Sequence, residues 1–453
     1  MALFAHSLWG PLFIGSVLRL LGLDRLSYWF DEIASLILSR PPLRVILSFT
    51  DDQIFHPPLY YALLHYWIIP NEAAIWTRLF SALTGIATIP LVYALGYLLF
   101  SRQVGWMSSW LFALSPWHIW YSQETRMYAL VCLWATLALL LGIRWDRTPR
   151  WSTGVAYVAA TLLGLYTNYT MFGIWLPAAL LLPLWQRGTW TWGTLLRWLG
   201  LQALVVLGYG PQLIYIPTIV AGLYNSDRFG ANVGTVGSNL PYILGCLLLA
   251  GLLVLVGWIT MRHWSSERMR QIAVGGLLVV LFLSLIIMLN PSATLLKRLF
   301  SIYTPSICWG GAWAITQARV PALQFRYWVL VSALAAALML AIVPKEPWRE
   351  IVGRLDSLAQ SGDLVVIEPA YNTLAFTYYD HSNLPLQGVN SQELTPIFMQ
   401  RIEQSRRVWL ILSSEDRIDL HRQVRSWFAA RYHPALDWEY YQITVQRYDV
   451  GGP

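Results

Sequence analysis

Tyr28-Trp29-Phe30-Asp31-Glu32-Ile33-Ala34-Ser35-Leu36 places two adjacent carboxylates just after the first apolar segment of the chain. Aromatic residues precede the pair and an apolar, helix-compatible run follows it. Trp and Tyr favour the membrane–water interface, where an apolar ring and a polar edge are both satisfied. The stretch therefore reads as a wet site at membrane level, and an ionisable pair there is a functional-site hypothesis by default. The competing reading is a solvated acidic helix start that merely suits the helix dipole. The rest of the chain decides between them.

Of the 453 residues 56% are hydrophobic and only 12% are charged, and the mean hydropathy is +0.48. Soluble globular proteins carry about 25% charged residues. This deficit, with long apolar runs, predicts a polytopic membrane protein. The formal charge of +7 does not point to nucleic acid, because the Lys and Arg residues are scattered in short loops between apolar runs. That is how membrane topology is set. Cys132, Cys246 and Cys308 all lie in apolar runs and read as small core residues, with neither a disulfide framework nor zinc spacing. The N-terminus has no basic n-region and no A-x-A-like cleavage site before Leu23, so it reads as a retained first span.

That first span is expected over Leu3–Leu23. A polar-aromatic loop, Asp24–Asn71, follows and carries two interfacial helices, Asp31–Leu38 and Pro58–Ile68. Further spans are expected at Ala74–Phe100, Val104–Trp117, Met127–Ile143, Ser152–Tyr166, Met171–Trp185 and Trp198–Val220. Others follow at Leu240–Met261, Ile272–Leu289, Leu299–Ile315 and Tyr327–Val343, about eleven in all. No internal repeat is visible. Alternate loops hold Arg102, then Arg144, Arg147 and Arg150, then Arg187 and Arg197, then Arg262, Arg268 and Arg270, then Arg319 and Arg326. By the positive-inside rule these are cytoplasmic. The Asp31–Glu32 loop, the Ser115–Thr125 loop, the Tyr166–Thr170 corner, the Gly222–Asn239 loop and the Asn290–Arg298 loop then face outward, and so does the C-terminal tail.

The tail changes composition. Trp348–Leu358 reads as an amphipathic helix, Asp363–Ile367 and Arg407–Leu412 as strands, Ile418–Tyr432 as a helix and Trp438–Tyr448 as a strand. Alternating strands and helices predict a small extracytoplasmic α/β domain over residues 344–453, appended to a transmembrane domain over 1–343 that includes the outward loop 24–71. The tail shows no Gly-rich phosphate loop and reads as a cap or docking module.

Chemistry-bearing residues gather in the outward loops. The first loop holds Asp31, Glu32 and the run His56-Pro57-Pro58-Leu59-Tyr60-Tyr61. The second holds Ser115-Pro116-Trp117-His118-Ile119-Trp120-Tyr121-Ser122-Gln123-Glu124-Thr125-Arg126-Met127-Tyr128. The third is Tyr166-Thr167-Asn168-Tyr169, and Lys297-Arg298 stand at the mouth of a late span. Carboxylates, imidazoles and fixed cations on one wet face suit an anionic, polyhydroxylated substrate. Blander readings stand beside each: His56 as a turn residue, Glu124 and Arg126 as a surface pair, Lys297 and Arg298 as snorkelling cations, the second loop as an aromatic belt.

The succession Trp29-x-Asp31-Glu32, His56-Pro57-Pro58-Leu59-Tyr60-Tyr61 and Ser115-Pro116-x-His118-x-x-Tyr121-Ser122-Gln123-Glu124-x-Arg126-Met127-Tyr128 resembles glycosyltransferase family 39 and its bacterial relatives. These are membrane transferases of the GT-C fold, related to protein O-mannosyltransferases and to the lipid A aminoarabinose transferase. The resemblance runs to about Trp185 and then weakens to general architecture, with Lys297-Arg298-Leu299-Phe300 similar to the Lys/Arg-Arg-Tyr-Leu start of a late span. Relatives often have His where this chain has Asn168, and the C-terminal domain lies outside the resemblance.

The resemblance implies a sugar donor carried on a polyprenyl phosphate and a hydroxyl acceptor on a lipid, glycan or protein. It implies work at the outer face of a bacterial plasma membrane. It makes Asp31 the catalytic base, with Glu32 beside it. A phosphate leaving group needs charge neutralisation more than a proton, and Arg126, Lys297 and Arg298 are suitable cations. His56, Tyr60, His118, Tyr121, Gln123, Glu124 and Asn168 are candidates to position substrate or metal. Glu32, His56 and Glu124 are the candidate ligands of a divalent cation, whose use stays open. Direct displacement by one hydroxyl would invert the anomeric centre. The reading is thus an inverting glycosyltransferase of GT-C fold; a secondary transporter or lipid flippase is the alternative. Transporters usually show repeats and midplane sites on broken helices, whereas here the polar groups cluster at one interface.

Overall fold

The computed structural model describes residues 7–48, 56–185, 191–213, 294–317, nine residues between 325 and 337, 344–390, 394–413 and 421–451. The chain forms two compact units, one of Met1–Leu23 with Ser39–Ala341, the other of Asp24–Leu38 with Ile342–Pro453. The sequence placed Asp24–Leu38 in a loop of the membrane domain; in the structure it folds with the C-terminal residues.

The first unit is helical. Its helices are α1 (Trp9–Leu20), α3 (Leu43–Ser48), α4 (Leu59–Ile68), α5 (Ala74–Leu99), α6 (Arg102–Ala113), α7 (Pro116–Ser122), α8 (Tyr128–Arg147), α9 (Trp151–Thr167), α10 (Phe172–Trp185), α11 (Trp192–Leu213) and α12 (Thr294–Gln317). Each falls on an expected apolar stretch except α3 and α7. The stretches at 240–261 and 272–289, together with Cys246, lie outside the described residues. Among the described residues two helices, α5 and α8, are long and apolar enough to cross a membrane. The 26 residues of α5 span about 39 Å at 1.5 Å per residue, beyond the ~30 Å of a hydrocarbon core.

The expected span Val104–Trp117 is instead two helices. α6 starts at Ser101, whose side chain accepts from Val104 N, and ends at Ala113. Ser115 then caps α7 in the same way, and Pro116 at the first helical position suits a start but not a helix interior. α5 and α6 approach closely through glycine: a Cβ on Gly105 would lie 2.6 Å from Tyr93 O, and one on Gly96 would lie 2.9 Å from Gly105 Cα. Small residues of this kind let membrane helices pack backbone to backbone. Around them Ile89, Val92, Leu95, Phe112, Cys132, Leu140, Cys308 and Trp309 form one apolar cluster, so Cys132 and Cys308 are the buried free thiols expected.

The second unit contains α2 (Phe30–Ser39) and a five-stranded sheet of order β2-β1-β3-β5-β4. The strands are β1 (Leu364–Glu368), β2 (Leu386–Gly388), β3 (Arg407–Ser413), β4 (Pro434–Tyr440) and β5 (Ile443–Asp449). β1 runs parallel to β2 and β3, and β5 antiparallel to β3 and β4. β1 is buried throughout, as a continuous apolar run in a parallel pairing should be. Four helices, α13 (Trp348–Leu358), α14 (Thr373–Tyr379), α15 (Pro396–Glu403) and α16 (His421–Ala429), complete the α/β unit that the sequence predicts. One expected element is corrected. Trp438–Tyr448 is not one strand but the turn of a hairpin, reversed at Tyr441-Gln442, with Gln442 at φ 58. β2, α14 and α15 were not expected at all.

Asp363, just before β1, is the unit's main polar anchor. Arg407 at the start of β3 grips it with both ends of its fork, at 2.8 and 2.6 Å, and Trp409 Nε1 adds a third bond at 2.9 Å. Burial pushes the Asp363 carboxyl up, but these bonds and one from Gln360 N outweigh it and hold the group below its ordinary range.

Candidate active site

In the helical unit the second loop forms α7 and the turn that follows it. Glu124, Thr125 and Arg126 are all buried there. Thr125 Oγ1 lies 3.0 Å from Thr77 Oγ1 on α5, and Ser81 Oγ of the same helix donates to Arg126 O at 3.2 Å. These bonds fix the turn on α5. Arg126 N bonds Glu124 O at 2.8 Å, which tightens the turn itself.

The turn delivers the Arg126 guanidinium to His56. Nη2 stands 3.4 Å from His56 Nε2, and the guanidinium carbon lies 5.8 Å from the centre of the Tyr128 ring. A guanidinium only donates, so His56 Nε2 is the acceptor and the ring proton sits on Nδ1. Pro57 and Pro58, both buried, lock the chain beyond His56, and α4 begins at Leu59 with Tyr60 fully buried. Tyr121, also buried, stacks edge-on against Tyr128 at 4.8 Å. The structure thus brings His56 to Arg126 and Tyr121 to Tyr128 beside the turn that carries Glu124. An arginine that is 3% exposed is no surface pair with Glu124.

Three candidates are committed to local structure. Gln123 Nε2 donates to Leu18 O at 2.9 Å and Leu21 O at 2.8 Å, capping the free carbonyls at the end of α1. Asn168 Oδ1 accepts from Thr170 N at 2.9 Å and so caps the short turn after α9. His118 is fully buried, with Nδ1 3.3 Å from Arg19 Nη2 and 3.2 Å from Ser122 Oγ. Burial, and then the Arg19 charge, hold this imidazole well below the ordinary histidine range. Lys297 and Arg298 lie in the first turns of α12, and their side chains are outside the described residues.

Asp31 and Glu32 occupy the first turn of α2, in the other unit. Asp31 is half-buried. Glu32, expected to be wet, is fully buried, and its Oε2 lies 3.3 Å from Lys345 Nζ. As for a divalent cation, among the described residues no three His, Cys, Asp or Glu side chains converge as a ligand set. Glu32 has a lysine as partner, and His56 has an arginine.

The sequence reading passed over Arg19. It lies on α1, is completely buried, and donates to Gly15 O at 3.0 Å, Ala113 O at 2.9 Å and Phe112 O at 3.1 Å. It therefore caps the C-terminus of α6 and holds α7 through His118. A single cation inside an otherwise apolar span was the available signal. Arg78, buried on α5 and bonded to Leu23 O at 2.7 Å, is a second such case.

The chain combines a helical unit with an α/β unit built on a five-stranded sheet. The fold matches the crystal structure of ArnT from Cupriavidus metallidurans in the apo state, with a TM-score of 0.54 and 15% identity over 98% of each chain. It matches ArnT of the same organism bound to undecaprenyl phosphate with a TM-score of 0.53, again at 15% identity over 98% of both chains. At that identity the likeness establishes the fold. No protein-family model matches the sequence, and no curated protein does.

Proposed function

We propose that this chain is an inverting glycosyltransferase that moves a sugar from a polyprenyl-phosphate donor to a hydroxyl acceptor at the outer face of a bacterial plasma membrane. The observation that carries the reading is the buried Arg126 guanidinium beside His56, in a GT-C fold. A guanidinium held in a buried turn is suited to meet an anion there, and a phosphate suits its planar fork. ArnT, a transferase of this fold, has been crystallised with undecaprenyl phosphate, which supports a donor of that kind.

In this reading the acceptor hydroxyl attacks the anomeric carbon as its proton passes to Asp31. The bond between the anomeric carbon and the phosphate oxygen breaks, and the phosphate keeps the electron pair. Arg126 stabilises that developing charge, helped by Lys297 and Arg298. One displacement inverts the anomeric centre. His56 orients the guanidinium, and Tyr60, Tyr121 and Glu124 border the turn that carries it. The acceptor is a lipid, glycan or protein hydroxyl. The transporter or flippase alternative is not favoured, since the matching fold is that of a transferase.

The test is mass spectrometry of surface glycans and lipids from a deletion strain. A sugar missing from one acceptor, and restored by the gene, supports the reading and names donor and acceptor together. Unchanged glycans with an altered transport phenotype would reject it.

A further inference from the structure

The second unit holds the Tyr28–Glu32 stretch from several directions. Tyr379 Oη on α14 accepts from Tyr28 N at 2.8 Å, and Tyr378 packs edge-on to the Tyr28 ring at 5.7 Å. Tyr371 meets Phe30 at 5.0 Å. Just ahead of α13, Lys345 reaches Glu32, with side-chain exposures of 7% and 0%. A buried pair is costly to desolvate, and removing one partner strands the other charge.

From this geometry we infer that Lys345 is a positioning residue for Asp31, acting through Glu32, and that the α/β domain is thereby part of the catalytic apparatus. The inference rests on the proposed transferase reading. Consecutive helical residues point about 100° apart. Once Glu32 is fixed on Lys345, the azimuth of α2 is set and Asp31 is turned to a different face. The pair leaves Glu32 neither a free acid nor a metal ligand. It holds the helix on which the base is mounted. It also gives the α/β domain a task that the sequence left open.

The test uses the full-length chain, expressed in the deletion strain and purified in detergent. Lys345→Met should lower sugar transfer per molecule by at least about tenfold, while affinity for undecaprenyl phosphate stays within about twofold. Lys345→Arg, which keeps the charge, should retain most of the transfer. Glu32→Gln combined with Lys345→Met removes both charges and should transfer as well as Glu32→Gln alone, since neither partner is stranded. A purely structural role would lower binding, transfer and thermal stability together in Lys345→Met and in the double variant. That outcome, or wild-type transfer in Lys345→Met, overturns the inference. If Lys345→Met fails to insert, Lys345→Arg and the double variant carry the comparison. If the wild-type chain restores no glycan, the transferase reading itself falls, and the positioning role with it. An active enzyme whose two residues show additive effects on transfer ends this inference alone.

Discussion

Arg126 Nη2 and His56 Nε2 meet at 3.4 Å although 70 residues separate them in the chain. The imidazole accepts, so the guanidinium keeps its full charge and gains a fixed direction. Arg126→Ala should therefore cut transfer by at least about 10²-fold, the scale of losing one preorganised donor to a developing anion. Lys at this position should restore only part, because a point charge cannot reproduce a fork. Turnover and undecaprenyl phosphate affinity measured on the same preparations check this. Full activity in Arg126→Ala would make the residue structural.

Arg19 should behave differently. Its guanidinium satisfies three carbonyls and the His118 imidazole inside the helical unit. Arg19→Met takes the side-chain donor from Ala113 O, at about 1–3 kcal/mol unless water rescues it, and unties α1 from α6 and from His118, while Phe112 O keeps the Ser115 N–H and His118 Nδ1 keeps Ser122 Oγ. The expected result is a clear loss of thermal stability in detergent, with near-normal turnover in the protein that survives. Unchanged stability would contradict the capping role.

The α/β domain should be acid-sensitive through Asp363. Its carboxyl is held below its unfolded value of about 3.9, so the stabilisation is complete above that pH. It is lost as pH falls through the folded value. Hydrogen exchange along β1 and β3 should accelerate in that acid window. Asp363→Ala, which strands Arg407, should cost about 3 kcal/mol and flatten the acid response.

Topology follows from exposed positions. In a background without the three native cysteines, Ile69→Cys, exposed after α4, should react with an impermeant thiol reagent in intact cells. Pro149→Cys, exposed in the Arg144–Arg150 loop, should react only after permeabilisation. The reverse pattern would move the candidate site to the cytoplasm.

Most helices were legible, because apolar runs such as Ala74–Leu99 leave the chain few other choices. The motif residues of the second loop were legible as a cluster for a simpler reason: they are contiguous, and α7 with its turn keeps them together. What the sequence hid was long-range pairing. Nothing near Glu32 announces that a lysine 313 positions later will neutralise it, and nothing near His118 announces Arg19. Gln123 and Asn168 read as ligands because their amides suit one, whereas both are spent on caps. The hairpin at Tyr441-Gln442 was missed because its turn lacks the usual glycine and uses Gln442 at positive φ.

In the proposed reaction Asp31 takes the acceptor's proton. Asp31→Asn keeps size and shape but removes the acceptor charge. Sugar transfer by purified Asp31→Asn, measured beside its melting temperature and its undecaprenyl phosphate affinity, is the most direct test. Transfer should fall by ~10²–10⁴-fold with normal insertion, stability and donor binding. Near-normal turnover in Asp31→Asn, with whatever loss of stability, would contradict it.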